Sequence, residues 1–215
     1  MDKRFLVILA IVILGLVGLF VFTKQKSVAP SSPANTSVSA SNHIEGKADS
    51  KVKLLVYGDF QCSACEQFYP IEKQVVDKYS NQISFQFRHF PLENLHPNAR
   101  AASRAAEAAG LQGKFFEMHN MLYQSQAAWR DQSVPLNVFI SFANSLNLDV
   151  NKFKTDYASE NVNAIINADY QAGSKLGVAG TPSYYLNGKL LDNKDIGTVE
   201  QFSAKIDATI KQTGN

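Results

Sequence analysis

Two thiols, Cys62 and Cys65, sit in the stretch LLVYGDFQCSACEQFYP (residues 54–70), and the 215-residue chain has no other cysteine. Sulfur atoms separated by two small residues, Ser63 and Ala64, suit three kinds of chemistry: a dithiol–disulfide pair, half of a metal site, or a short structural staple. A zinc site usually takes four ligands. His43, His89, His96 and His119 offer no short His-x-His or His-x(3 to 5)-His pair to complete one, so no metal is expected. A bridge across so short a loop removes little entropy from the unfolded chain, because that stabilisation grows with loop length. The redox reading explains the position of the pair as well as its spacing.

That position is a handover between elements. Residues 52–60 (VKLLVYGDF) are apolar and β-branched enough for a central strand, and Phe68, Ile71, Val75 and Tyr79 then recur on one face of a helix. At a helix start the unpaired N–H groups and the dipole favour an anion, so Cys62 is expected as a thiolate. A free thiol with pKa near 8.5 is only about 3% ionised at pH 7; lowering it by two is worth roughly 2.7 kcal/mol. Cys65, one turn inward, would resolve a mixed disulfide. Asp59, three residues before Cys62, is placed either to relay protons or to cap the turn. His89 reads as a structural histidine, while Glu107, Arg100 and Arg104 read as a solvated helix face.

The remaining elements follow from periodicity and punctuation. Pro70 inside the first helix should kink it. Residues 82–90 alternate Ile83, Phe85, Phe87 and His89 on one face of a second strand. From His96 to Gly177 the pattern is helical, with Pro97 expected at the first position of the first helix, Gly110 as its stop, and a final long helix from about Ser159 to Leu176. Residues 181–192 read as a hairpin turning at Asn187-Gly188, and Thr198 with Gln201 has capping-box spacing before the last helix. The whole describes an α/β domain, about 48–213, with a helical insertion at about 93–177.

Upstream, residues 1–4 carry Lys3 and Arg4, and 5–22 form 18 consecutive residues without charge, roughly 27 Å of helix. This span is expected to be an uncleaved transmembrane anchor, with 1–4 as a short cytoplasmic segment. Residues 23–47, rich in Ser, Pro, Ala and Asn up to position 42, read as a flexible linker. Lys24 and Lys26 nearly balance the charges before the span, so charge does not fix orientation. A dithiol domain behind such a tether fits an oxidising, extracytoplasmic compartment. Net charge is +2 without basic runs, which sets nucleic acid aside.

The motifs YGDFQCSACEQFYP, FRHFPL, KFFEMHNMLY and GVAGTPSYYLNGK, in that order over about residues 51–211, resemble the DsbA-like branch of the thioredoxin superfamily. The resemblance implies a thioredoxin-like fold with an inserted helical domain, and Thr181-Pro182 as a cis-proline loop facing the thiols and binding an extended substrate. It implies Cys62 and Cys65 as the catalytic pair, no cofactor, substrate proteins with cysteine thiols, and a membrane redox partner that regenerates the disulfide. Strongly oxidising relatives typically carry Pro-His where this chain has Ser63-Ala64, which leaves the direction of exchange open between an oxidase and a reductase or isomerase. A thiol-based metal-binding module is the competitor from another class.

Overall fold

The structure, a computed structural model, describes residues 38–214. The expected segment 1–4, the apolar span 5–22 and the tether up to residue 37 lie outside the described residues. Among the described residues, no helix is long and apolar enough to cross a membrane.

Five strands form one mixed sheet: β1 (His43–Gly46), β2 (Lys53–Gly58), β3 (Ser84–His89), β4 (Ser183–Leu186) and β5 (Lys189–Leu190), in the order β1-β3-β2-β4-β5. β2 and β3 are parallel, with Val56 opposite Phe87, and are therefore joined by a crossover helix, α1 (Ser63–Lys78). The other pairings are antiparallel. Helix α1 continues through Pro70 as one element. The β4–β5 turn places Asn187 and Gly188 at φ 49° and 80°, the left-handed pair that a two-residue hairpin requires.

Side-chain alternation along β2 builds both faces. Leu54 and Val56 enter the main core with Phe60, Phe85 and Phe87, while Tyr57 packs with Phe90, Val178 and Tyr185 in a second cluster. A sheet covered on both faces needs such a continuous apolar run in its central strand. At the end of β2, Gly58 makes room for a ring: a Cβ there would lie 2.5 Å from Cε2 of Phe87.

Between β3 and β4 the chain forms α2 (Ala99–Gly110), α3 (Phe115–Gln124), α4 (Gln126–Trp129), α5 (Leu136–Ser145), α6 (Val150–Tyr157) and α7 (Glu160–Leu176). The Ser159 hydroxyl accepts from Val162 N at 3.2 Å and Gly177 ends α7 in the left-handed conformation. Helix α8 (Val199–Thr213) starts at the Thr198 cap and meets α1 where the Tyr79 hydroxyl donates to Asp207 at 2.8 Å.

Two expectations are corrected. The sheet begins inside the segment 23–47 read as a linker: β1 pairs with β3, and just before it the Ser41 N–H and hydroxyl donate to the Asp169 carboxylate at 2.7 and 2.6 Å. A polar stretch orders here because its partners lie far along the chain. Glu107, read as part of a solvated face, is buried in α2 with its carboxylate 2.7 Å from His89 Nε2 and 2.8 Å from His43 Nε2. Burial raises the Glu107 carboxyl, but the two imidazoles overcome that and hold it down to about 2. His89 is thus a core histidine. Arg100 does lie at the surface, reaching Glu93 at 2.7 Å.

Candidate active site

Cys62 is the N-cap of α1, with extended backbone (φ −69°, ψ 124°), and Cys65 lies within the first turn. Both are buried, at 8% and 3% exposure, with Cys65 the deeper of the two. The Cys62 carbonyl accepts the first helical bond from Glu66 N at 3.1 Å. Its sulfur is therefore carried at the amino end of the helix, where the free N–H groups converge.

The two thiols titrate apart. A hydrogen bond from Cys65 is the largest influence on Cys62; against burial, this bond, one to Thr181 and the N–H groups of Cys65 and Ala64 bring Cys62 down to about 5. Burial, then the hydrogen bond and charge of Cys62, drive Cys65 well above its ordinary value. One sulfur is an anion at neutrality and its neighbour keeps its proton.

Thr181 and Pro182 meet this pair from the other end of the domain sequence. Their peptide bond is cis, and the Thr181 carbonyl lies 3.4 Å from Cys62 Sγ, across 119 residues. Val178, Gly180, Thr181, Pro182, Tyr185 and Leu190 line a shallow groove at this loop. The two thiols and the Thr-Pro loop, all expected site residues, are thus brought together.

Asp59 is fully buried and its carboxylate is already engaged. Oδ1 accepts from Gln61 N at 2.8 Å; Oδ2 accepts from Leu92 N at 2.9 Å and lies 2.7 Å from His96 Nδ1. Its own carbonyl accepts from Cys62 N at 3.1 Å. The carboxylate pins the turn before Cys62 to the loop that leads into the insertion, and His96 gives it a partly exposed neighbour.

Sequence reasoning missed a second buried group behind the thiols. Glu72, in α1, accepts from the Tyr184 hydroxyl at 2.9 Å, and its other oxygen lies 3.8 Å from His119 Nε2. Burial pushes Glu72 up to about 8 and His119 down to about 4, so at pH 7 a carboxylic acid faces a neutral imidazole. His119 Nε2 finds no hydrogen-bond partner among the described residues. No local sequence signal marks Glu72, whose partners lie 47 and 112 positions away.

A dithiol at a strand–helix junction, facing a cis Thr-Pro loop, with a helical block inserted between the two halves of the sheet, defines a thioredoxin-like fold. The sequence model of the Thioredoxin family matches residues 39–208, and the chain belongs to that family. Similar solved structures include a thioredoxin-like oxidoreductase from Silicibacter pomeroyi DSS-3, 24% identical with a TM-score of 0.64, covering 79% of this chain and 92% of that one. BdbD from Bacillus subtilis, in its oxidised form, is 22% identical with a TM-score of 0.66, covering 82% and 100%. The thiol-disulfide exchange protein α-DsbA2 from Wolbachia pipientis is 19% identical with a TM-score of 0.65, covering 77% and 86%. At these identities the likeness establishes the fold. Among curated relatives, a Na(+)/H(+) antiporter NhaA 1 from Salinispora arenicola is 34% identical over 148 residues, which is 69% of this chain and 22% of that protein. The chain spans about a fifth of the length of the curated relatives it matches.

Proposed function

We propose that this chain is a protein thiol:disulfide oxidoreductase that exchanges a Cys62–Cys65 disulfide with protein thiols and runs mainly as an oxidase. The observation that carries the reading is the geometry of two thiols in one helical turn, with Cys62 Sγ 3.4 Å from the Thr181 carbonyl of the cis Thr-Pro loop. In the reaction, a substrate thiolate attacks Cys62 Sγ, the Sγ–Sγ bond breaks, and Cys65 leaves as a thiolate that takes up a proton. The substrate's second thiolate then attacks its own sulfur in the mixed disulfide and expels Cys62 as a thiolate. The substrate loses two electrons and the chain gains them. An acidic Cys62 is a good leaving group, and its stabilised anion favours the reduced chain, so the disulfide is a strong oxidant.

Thr181 and Pro182 would hold an extended substrate segment beside Cys62. Asp59 is best placed as the anchor of the turn, with any proton relay passing through its contact to His96. The membrane anchor at 5–22, an extracytoplasmic catalytic domain and a membrane partner that restores the disulfide complete the proposal. The Ser63-Ala64 dipeptide, with no charge to offer a thiolate, is the feature that favours the alternative of a reductase or isomerase.

The test is the reduction potential in glutathione buffers together with trapping. An oxidase is expected near or above about −180 mV, and a value near the cytosolic glutathione poise, about −220 mV or below, would replace it with a reductase. The variant Cys65→Ala should accumulate mixed disulfides through Cys62; their absence would count against exchange in either direction.

A further inference from the structure

The turn bearing Cys62 belongs to the sheet-and-helix unit, but a group that grips it comes from the insertion. Gln126, the first residue of α4, is fully buried. Its Nε2 donates to the Phe60 carbonyl at 2.8 Å and to the Cys62 carbonyl at 3.3 Å, and its Oε1 accepts from Arg130 Nη1 at 3.1 Å. This set of partners fixes which way the amide faces, since a flipped amide would press its oxygen against two carbonyl oxygens. The two carbonyls flank Gln61, whose side chain is itself held by the insertion: Oε1 accepts from Asn98 N at 2.6 Å and Nε2 donates to the Arg130 carbonyl at 2.8 Å. Cys62 makes no side-chain capping bond; its carbonyl takes the helical bond from Glu66 N and Gln126 as a second donor, while the Phe60 carbonyl is held by Gln126 at the shorter distance.

We propose that Gln126 is a positioning residue for disulfide exchange: its carboxamide fixes the Phe60–Gln61 and Cys62–Ser63 peptide planes, and with them the angle at which the Ala64 and Cys65 N–H groups meet the Cys62 sulfur. The proposal rests on the exchange reading above and extends it, because it makes the inserted helices part of the control of the thiolate. In a buried setting a carbonyl that loses its donor is penalised, so without Gln126 the turn relaxes at Phe60 to recover a partner.

The experiment uses the full chain with Gln126→Met, which keeps the length and removes the donor, and Gln126→Asn, which keeps the donor but shortens its reach. The readouts are the pH midpoint of thiolate absorbance and the equilibrium with glutathione. In Gln126→Met the midpoint is expected to rise by about one pH unit, and the exchange equilibrium to move roughly tenfold toward the disulfide, equivalent to about 30 mV. Gln126→Asn should move both in the same direction by less. A folded Gln126→Met with both readouts unchanged would overturn the proposal, and if that variant does not fold, Gln126→Asn decides by the same criterion. A wild-type midpoint near that of a free thiol would instead sink the exchange reading, which separates the two failures.

Discussion

Glu72 and Glu107 are both buried in helices and both face histidine, yet one carboxyl is raised to about 8 and the other lowered to about 2. Glu72 receives one hydrogen bond, from Tyr184, and its nearest imidazole is 3.8 Å away. Glu107 has two imidazoles at hydrogen-bond distance, one of them brought by the edge strand β1. Burial penalises both charges; the number of close donors decides which survives. Cys62 and Cys65 repeat the contrast within one turn of helix, so the logic that orders the structural acids also sets the thiols apart.

The contrast predicts a ranking. Glu107→Ala should cost most, about 3–5 kcal/mol in urea unfolding, because two imidazoles and the join between β1 and the insertion lose their common acceptor. A loss below about 1 kcal/mol would show that these bonds contribute little. Glu72→Gln should act in the opposite sense. A carboxyl whose folded value is raised contributes stability at pH below its ordinary 4.5 and loses it as pH rises through about 8. Glutamine stays neutral and keeps an acceptor for Tyr184, so the variant should gain about 4 kcal/mol over wild type at pH 8 and nothing at pH 4. Equal changes at both pH values would refute the assigned shift.

The smallest effect is expected for His43→Ala, about 1 kcal/mol at neutral pH, since it removes one of two donors from Glu107. Glu107's depressed value supplies stability that is present above 4.5 and disappears as pH falls through about 2. Without His43 that acid-sensitive share should shrink. An acid-unfolding profile parallel to that of wild type would mean that His89 alone holds the carboxylate.

Local spacing made much of this architecture legible. The Cys-x-x-Cys at a change of period, the alternation through Phe85 and Phe87, the Asn-Gly turn and the Ser159 and Thr198 caps are all encoded within a few residues. Thr181-Pro182 was different: its own residues say only that a turn lies there, and its place opposite the thiols came through family resemblance. What stayed hidden depends on partners distant in sequence. Glu107 shares its helix with Arg100 and Arg104 and so reads as part of a solvated face; its burial depends on His89 and on His43, the latter 64 positions upstream. β1 is four residues long and half of them, Glu45 and Gly46, argue against a strand; its register comes from β3. Gln126 gives no signal at all, because a carboxamide reveals its role only through the carbonyls it reaches.

Where the upstream chain enters the sheet has a mechanical meaning. It joins at the outer strand β1, next to the Ser41–Asp169 clasp, and β3 stands between that strand and β2, which bears the thiol turn. Tension applied at Ser41 would therefore be taken up first by the β1–β3 pairing and by α7, leaving β2 outside the direct line of load.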